Sequence, residues 1–404
     1  MNEENIKQLL AIKQNQLSSL LELTKAINNN FSKAALLKLF EFVLNGQLGV
    51  KNLAVFVREE NWILEISQGN PEVASKIDPK RDLTKFEIIQ DVTRYPDNLY
   101  DGFEIIMPVV HKKMPLAYVL IGGLKFSELE SRDDTLKFIE TIANFILVSL
   151  ENKRLFKIQL QQERIGKEVE LASEVQSMLI PSILPSNEFV SFGAFYKPHG
   201  SIGGDYYDVI SIDDSSVAFC MCDVSGKGLS AGMIMANFQA QLRSLLNKYD
   251  SLEQLVDYLN FRLYEITKGE RYITMFLGVY NFNNRKLRYV NSGHNPTLLH
   301  QNGEIQYLDK GSTILGAFDN LPAVVSGEIV LANDAMVLCY TDGLTELEND
   351  FEEMYGLERL NAFLFKNHKN DVNTFVENLK QEMISFKGSK DYNDDVSVLV
   401  GRFL

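Results

Sequence analysis

Four short acidic segments carry the residues of this chain best suited to chemistry. They are Ile202-Gly203-Gly204-Asp205-Tyr206-Tyr207-Asp208, Cys222-Asp223-Val224-Ser225-Gly226-Lys227-Gly228, Tyr340-Thr341-Asp342-Gly343-Leu344-Thr345-Glu346 and Asp394-Asp395-Val396-Ser397. Asp223 closes the apolar run Val217-Ala218-Phe219-Cys220-Met221-Cys222, and Asp342 follows Met336-Val337-Leu338-Cys339-Tyr340. A carboxylate at the tip of a buried strand is a hard oxygen donor held in place, and a nearby glycine lets backbone and water approach. Several such tips brought together suit two Mg²⁺ or Mn²⁺ ions. Taken singly the segments are weak. Asp-Gly after a strand is most often a turn, and Asp394-Asp395 reads equally well as a solvated acidic pair.

The elements that must position these tips follow from periodicity. From residue 189 onward strands dominate, at Phe189–Tyr196, Tyr206–Ile212, Val217–Cys222, Thr274–Phe282, Leu287–Asn291, Thr297–His300, 324–331, 336–340 and Val396–Phe403. Helical spacing marks Leu229–Lys248, a helix opened by the capping box Ser251-Leu252-Glu253-Gln254, and two more near 357–367 and 371–386. A β-sandwich with helices on its outer faces fits this order. Upstream, residues 1–45 are helical in pattern, strands follow at Leu53–Arg58, Trp62–Ser67, Phe103–Val110 and Leu116–Ile121, and Asp134–Asn152 is a helix. Residues 148–179 read as one long helix ended by Pro181 and Pro185. Val148, Leu155, Gln162, Val169 and Gln176 fall at heptad position a, with Glu151, Ile158, Ile165, Ala172 and Leu179 at d. That pattern predicts a parallel coiled-coil dimer with Gln162 and Gln176 able to set register; the alternative is a linker helix lying on its own domains. The expected division is 1–150, 151–180 and 181–404.

In order and spacing, the four acidic segments together resemble the metal-dependent PPM-type serine/threonine protein phosphatases, in particular the bacterial branch that controls sigma-factor regulators in stress responses and sporulation. Asn291-Ser292-Gly293-His294-Asn295-Pro296 and Met354-Tyr355-Gly356-Leu357-Glu358-Arg359-Leu360 support the likeness, which covers about residues 171–404. It implies an α+β protein whose C-terminal domain is an α-β-β-α sandwich. It also implies hydrolysis of phosphoserine or phosphothreonine by water activated between two Mn²⁺ or Mg²⁺ ions. By resemblance Asp223 bridges both metals, the Val224 carbonyl completes one site, Asp342 and Asp394 hold the second metal, and Asp205 acts through water. Asp394 rather than Asp395 matches the family position. The implied substrate is a small phosphorylated anti-sigma-factor antagonist. Residues 1–150 resemble a GAF-type sensor domain, by pattern rather than by motif. His294 is open to two readings, proton donor to the leaving oxygen or loop anchor, and His199 is a possible polar neighbour.

Other chemistries fail on the residues. A cysteine phosphatase would need an arginine downstream of its nucleophile, where Gly226, Gly228 and Thr345 stand. Gly203-Gly204-Asp205 lacks the metal-binding carboxylate that a diguanylate cyclase signature requires next, since Tyr206 and Tyr207 stand where Glu and Phe would. Ser225-Gly226-Lys227-Gly228 lacks the hydroxyl residue of a P-loop. A phosphatase-like scaffold without activity would usually have lost a ligand Asp, and all four are present. A net charge of −14 over 404 residues, with no Lys/Arg-rich stripe, argues against nucleic acid or an anionic membrane as partner. Met1-Asn2-Glu3-Glu4-Asn5 has no signal-peptide character, so a cytoplasmic protein is expected. The three cysteines, Cys220, Cys222 and Cys339, read as small core residues.

Overall fold

The computed structural model describes residues 3–93, 95, 98–111, 114–249 and 251–404. The chain divides into two compact units, Met1–Glu163 and Arg164–Leu404.

The first unit is built on an antiparallel sheet of order β2-β1-β5-β4-β3. Its strands are β1 (Asn52–Arg58), β2 (Trp62–Gln68), β3 (Gln90–Asp91), β4 (Ile105–His111) and β5 (Met114–Gly122). Alternation along β1 sends Leu53 and Val55 to one face and Ala54 and Phe56 to the other. The first face packs on α1 (Glu3–Asn28), α2 (Lys33–Leu48) and the early turns of the long helix α4 (Arg132–Ser177), through Leu36, Phe40, Ile139, Ile142 and Ile146. The second face is covered by the short helix α3 (Pro71–Ala74) and the segment carrying Leu83, Phe86 and Tyr100. The two helices expected at 134–152 and 148–179 are one element: α4 is a single 46-residue helix.

The second unit holds two facing sheets. One runs β13-β10-β9-β8-β7 with β14 also on β10, and the other runs β12-β11-β15-β16-β6. Its strands are β6 (Val190–Lys197), β7 (Tyr206–Asp213), β8 (Ser216–Val224), β9 (Ile273–Asn281), β10 (Lys286–Ser292), β11 (Thr297–Gln301), β12 (Glu304–Leu308), β13 (Gly311–Ser312), β14 (Gly327–Val330), β15 (Ala335–Tyr340) and β16 (Val396–Phe403). β8 and β15 are buried on both faces, which is why they read as unbroken apolar runs rather than alternating ones. Val217, Phe219 and Met221 of β8 meet Val337 and Cys339 of β15 in the core between the sheets. Ala218, Cys220 and Cys222 face α5 (Leu229–Leu245) and α6 (Leu252–Thr267). Met336, Leu338 and Tyr340 face α7 (Asp342–Thr345), α8 (Gly356–Asn367) and α9 (Val372–Lys387). The expected α-β-β-α order is therefore present. Ser251 caps α6, accepting from Gln254 N at 3.4 Å, although its own hydroxyl donates to Glu253 rather than completing a reciprocal box.

Candidate active site

All four acidic segments lie at one end of the second unit. Tyr206, the first residue of β7, pairs with Cys222 near the end of β8, so Asp205 and Asp223 emerge side by side. On the other sheet Tyr340, the last residue of β15, pairs with Val398 near the start of β16, which places Asp342 beside Asp394-Asp395. Side chains then tie the two sheets together. The Thr341 and Ser397 hydroxyls donate to Asp205 Oδ2 at 2.8 and 2.6 Å. Asp395 accepts from Gly204 N at 2.6 Å and from His199 N at 2.8 Å. Two glycines are required by close approach: a Cβ on Gly343 would stand 2.1 Å from the Asp395 carbonyl oxygen, and one on Gly204 2.9 Å from that of Val224.

The carboxylates repel one another. Burial first, then Asp342, Asp394 and Asp395, push Asp223 up to about 7. Burial, Glu346 and Asp394 raise Asp342. Asp205 is wholly buried and raised well above the carboxylate range, by burial and then by Asp223. Lys227 opposes the shift at Asp223 and Asp342 and forms a 2.8 Å ion pair with Asp394. Oxygen donors that repel each other around partial burial fit a hard divalent cation in kind. Among the described residues, however, no three His, Cys, Asp or Glu side chains converge closely enough to enclose one as they stand.

The remaining sequence candidates divide clearly. Asp394 is partly exposed and Asp395 is buried as an anchor for the Gly203-Gly204 turn. His294 is buried, bonded through Nδ1 to Thr274 Oγ1 at 2.8 Å, and burial lowers it to about 4. Burial disfavours its charged form, and its backbone N–H donates to Asn291 Oδ1 at 2.8 Å, so ring and backbone both tie this loop to its neighbours. His199 contributes its backbone N–H, while its ring meets the Tyr392 carbonyl. Gln176 does not serve as a seam residue: buried, it donates to the Gly203 carbonyl at 2.5 Å, so the end of α4 touches the turn before Asp205. Sequence reasoning passed over Asp208, which is fully buried and held bidentately by Arg243 at 2.6 and 2.8 Å. It also passed over the part played by Lys227.

Two acid-tipped sheets between helical layers are the architecture of a PP2C-like phosphatase domain, and the SiaA PP2C domain of Pseudomonas aeruginosa shares that fold. It superposes with a TM-score of 0.54 at 17% identity, covering 60% of this chain and 99% of its own. Residues 213–404 match the family described as Stage II sporulation protein E (SpoIIE), and this part of the chain has the fold of PP2C-like phosphatase domains. Asp223, Asp342 and Asp394 lie within the match, and Asp205 precedes it. Phosphoserine phosphatase RsbU of Bacillus subtilis (strain 168) is 26% identical over 269 residues, 65% of this chain and 77% of RsbU. Phosphoserine phosphatase RsbP of the same organism is 26% identical over 187 residues, 45% of each chain. Protein IcfG of Synechocystis sp. is 24% identical over 288 residues, 64% of this chain but 45% of IcfG.

Proposed function

We propose that this chain is a metal-dependent protein phosphatase that hydrolyses phosphoserine or phosphothreonine on a protein substrate. The observation that supports the reading is that Asp223, Asp342 and Asp394 lie at the same end of two facing sheets, where mutual repulsion and partial burial favour positive charge. In this reading Asp223, the Val224 carbonyl, Asp342, Asp394 and Asp205 are the groups that would hold two Mn²⁺ or Mg²⁺ ions. Such ions supply charge neutralisation of the phosphoryl group and a lowered pKa for an attacking water. The chain's own residues provide the scaffold. The buried strands β8 and β15 hold Asp223 and Asp342, two hydroxyls orient Asp205, and Asp395 fixes the turn before it.

RsbU and RsbP are named as phosphoserine phosphatases, which supports a serine-directed activity. We infer a small phosphorylated anti-sigma-factor antagonist as substrate, within a partner-switching circuit. Residues 1–150 are proposed as a GAF-like input domain and 151–180 as the linker of a homodimer. Among the described residues no helix is long and apolar enough to cross a membrane, and we place the protein in the cytoplasm. A second reading, a silent scaffold that binds a regulatory partner, draws on the incomplete convergence of the carboxylates. Hydrolysis of p-nitrophenyl phosphate with Mn²⁺, with and without EDTA and beside Asp223→Ala, separates the two. Turnover lost in both controls is expected. Absence of both turnover and Mn²⁺ binding in the unmodified protein would favour the scaffold.

A further inference from the structure

The first unit carries a cleft of about 420 Å³, within the roughly 300–1,000 Å³ usual for sites that hold small organic molecules. Its floor is apolar: Val57 of β1, Leu116 of β5, and Leu147 and Leu150 of α4. Leu147 belongs to the core, whereas Val57, Leu116 and Leu150 are half-buried, so sheet and helix leave apolar surface facing the cleft. Along α4 the lining then changes character. Leu147, Leu150, Arg154 and Lys157 are spaced three, four and three residues apart, which sets them on one face of the helix, with Lys153 beside them. The cationic end of that stripe reaches the turn between α1 and α2, where Lys153 Nζ donates to the Phe31 carbonyl oxygen at 2.8 Å. Helix α2 starts at the same turn with Ser32 as its cap and no acid in its first turn, so its own residues do not offset the positive end of its dipole. Two carboxylates line the cleft, and both are taken. Glu151 holds Arg154 in a fork at 2.8 and 2.7 Å, and Glu59 holds Lys33 at 2.7 Å. Lys153 is matched by a carbonyl rather than a carboxylate, and Lys157 makes no hydrogen bond or ion pair among the described residues. In a chain of net charge −14 this is a local excess of positive charge beside an apolar floor.

We propose that this cleft binds a small anionic amphiphile, a carboxylate on an apolar tail, with the tail over Leu116, Leu147 and Leu150 and the carboxylate at Lys153 and Lys157. The assignment rests on the first unit alone and stands or falls apart from the metal-dependent reading of the second. Each part of the cleft selects one part of such a ligand. The tail removes half-buried leucine surface from water, which an inorganic anion cannot do. The carboxylate meets two ammonium groups and a helix N-terminus, which an uncharged alcohol of the same length leaves unmatched. A cationic amphiphile meets like charge. Lysines that merely drape their stems over the leucines would give no preference for the acid over the alcohol.

The test is isothermal titration calorimetry of the full-length protein with octanoate, kept below its micelle concentration, beside octanol, acetate and octyltrimethylammonium. The variants are Lys153→Met/Lys157→Met and Lys153→Arg/Lys157→Arg, with circular dichroism to verify folding. Octanoate is expected to fill one site per chain about tenfold more tightly than octanol, with acetate and the ammonium weaker than both. The Lys→Met pair should lose about tenfold in octanoate affinity and keep its affinity for octanol, and the Lys→Arg pair should bind octanoate as the unmodified protein does. No saturable octanoate binding, equal affinities for acid and alcohol, or full octanoate affinity in the Lys→Met pair would each overturn the assignment. Sedimentation velocity run alongside tests the competing occupant: dimers that split as octanoate binds would give the cleft to a second copy of the chain and overturn the assignment too. None of these readouts uses turnover or metal, so a failed phosphatase assay leaves the result intact.

Discussion

Alanine at Asp395 and alanine at Asp394 should have opposite consequences, although the two carboxylates are neighbours in sequence. Asp395 is buried and accepts two backbone N–H groups, from Gly204 at 2.6 Å and His199 at 2.8 Å. Asp395→Ala leaves both donors without a partner, at about 1–3 kcal/mol each, or about 2–5 kcal/mol together after some relaxation. That is a large part of the about 5–15 kcal/mol that ordinarily separates folded from unfolded domains. The Asp394 side chain is 41% exposed; it pairs with Lys227, worth about 0–1 kcal/mol, and accepts only the N–H of its sequence neighbour Asp395, a bond at a part-exposed site that water can replace. Urea unfolding of the full chain distinguishes them. The chain's one tryptophan, Trp62, lies in β2, so its fluorescence reports the first unit while far-ultraviolet circular dichroism reports both. Asp395→Ala should shift only the transition invisible to Trp62. Asp394→Ala should leave both transitions in place and abolish metal-dependent turnover. Equal destabilisation by the two variants, or none from Asp395→Ala, would refute the division into anchor and ligand.

Arg243→Ala uncovers the fully buried Asp208 and should cost about 2–4 kcal/mol in the same assay, less than a fully buried pair because the guanidinium is half exposed. Replacing both donors to Asp205, Thr341→Val with Ser397→Ala, should lower the melting temperature of the second unit by several degrees and reduce turnover, followed by calorimetry and phosphatase assay. His294 is held neutral by burial and lowered to about 4, whereas the unfolded chain protonates its histidines near pH 6.5. Its contribution is present above about pH 6.5 and is lost as pH falls toward 4. Stability measured across that window should fall less steeply in His294→Asn, and identical slopes would show that another group governs it.

The outline of the second unit was legible because its key strands are covered on both faces. Val217–Cys222 and Met336–Tyr340 can only be buried runs, and the position of an Asp just beyond each run follows directly. The helix starting after Ser251 was legible from a cap three residues long in its effect. What stayed hidden depends on partners far away in the chain. Nothing local to Asp394-Asp395 says which residue meets N–H groups 191 and 196 positions earlier. The Asp208–Arg243 pair spans 35 residues with no periodic signal. Gln176 occupies a heptad a position, yet tertiary contact with Gly203 takes its amide. The two-residue strand β13, paired in parallel with β10, is too short to show any alternation.

The three thiols have a practical consequence. Cys220 and Cys222 lie under α5 and α6, Cys339 lies between the sheets, and all are free and buried. Burial raises Cys220 and pushes Cys339 up to about 12, so little reactive thiolate forms at neutral pH. A thiol reagent can therefore label this domain only when a layer opens, and the cysteines become clocks for two different seams. The rate at Cys220 and Cys222 times the lifting of the helices from the sheet that carries Asp223, while the rate at Cys339 times the parting of the sandwich itself.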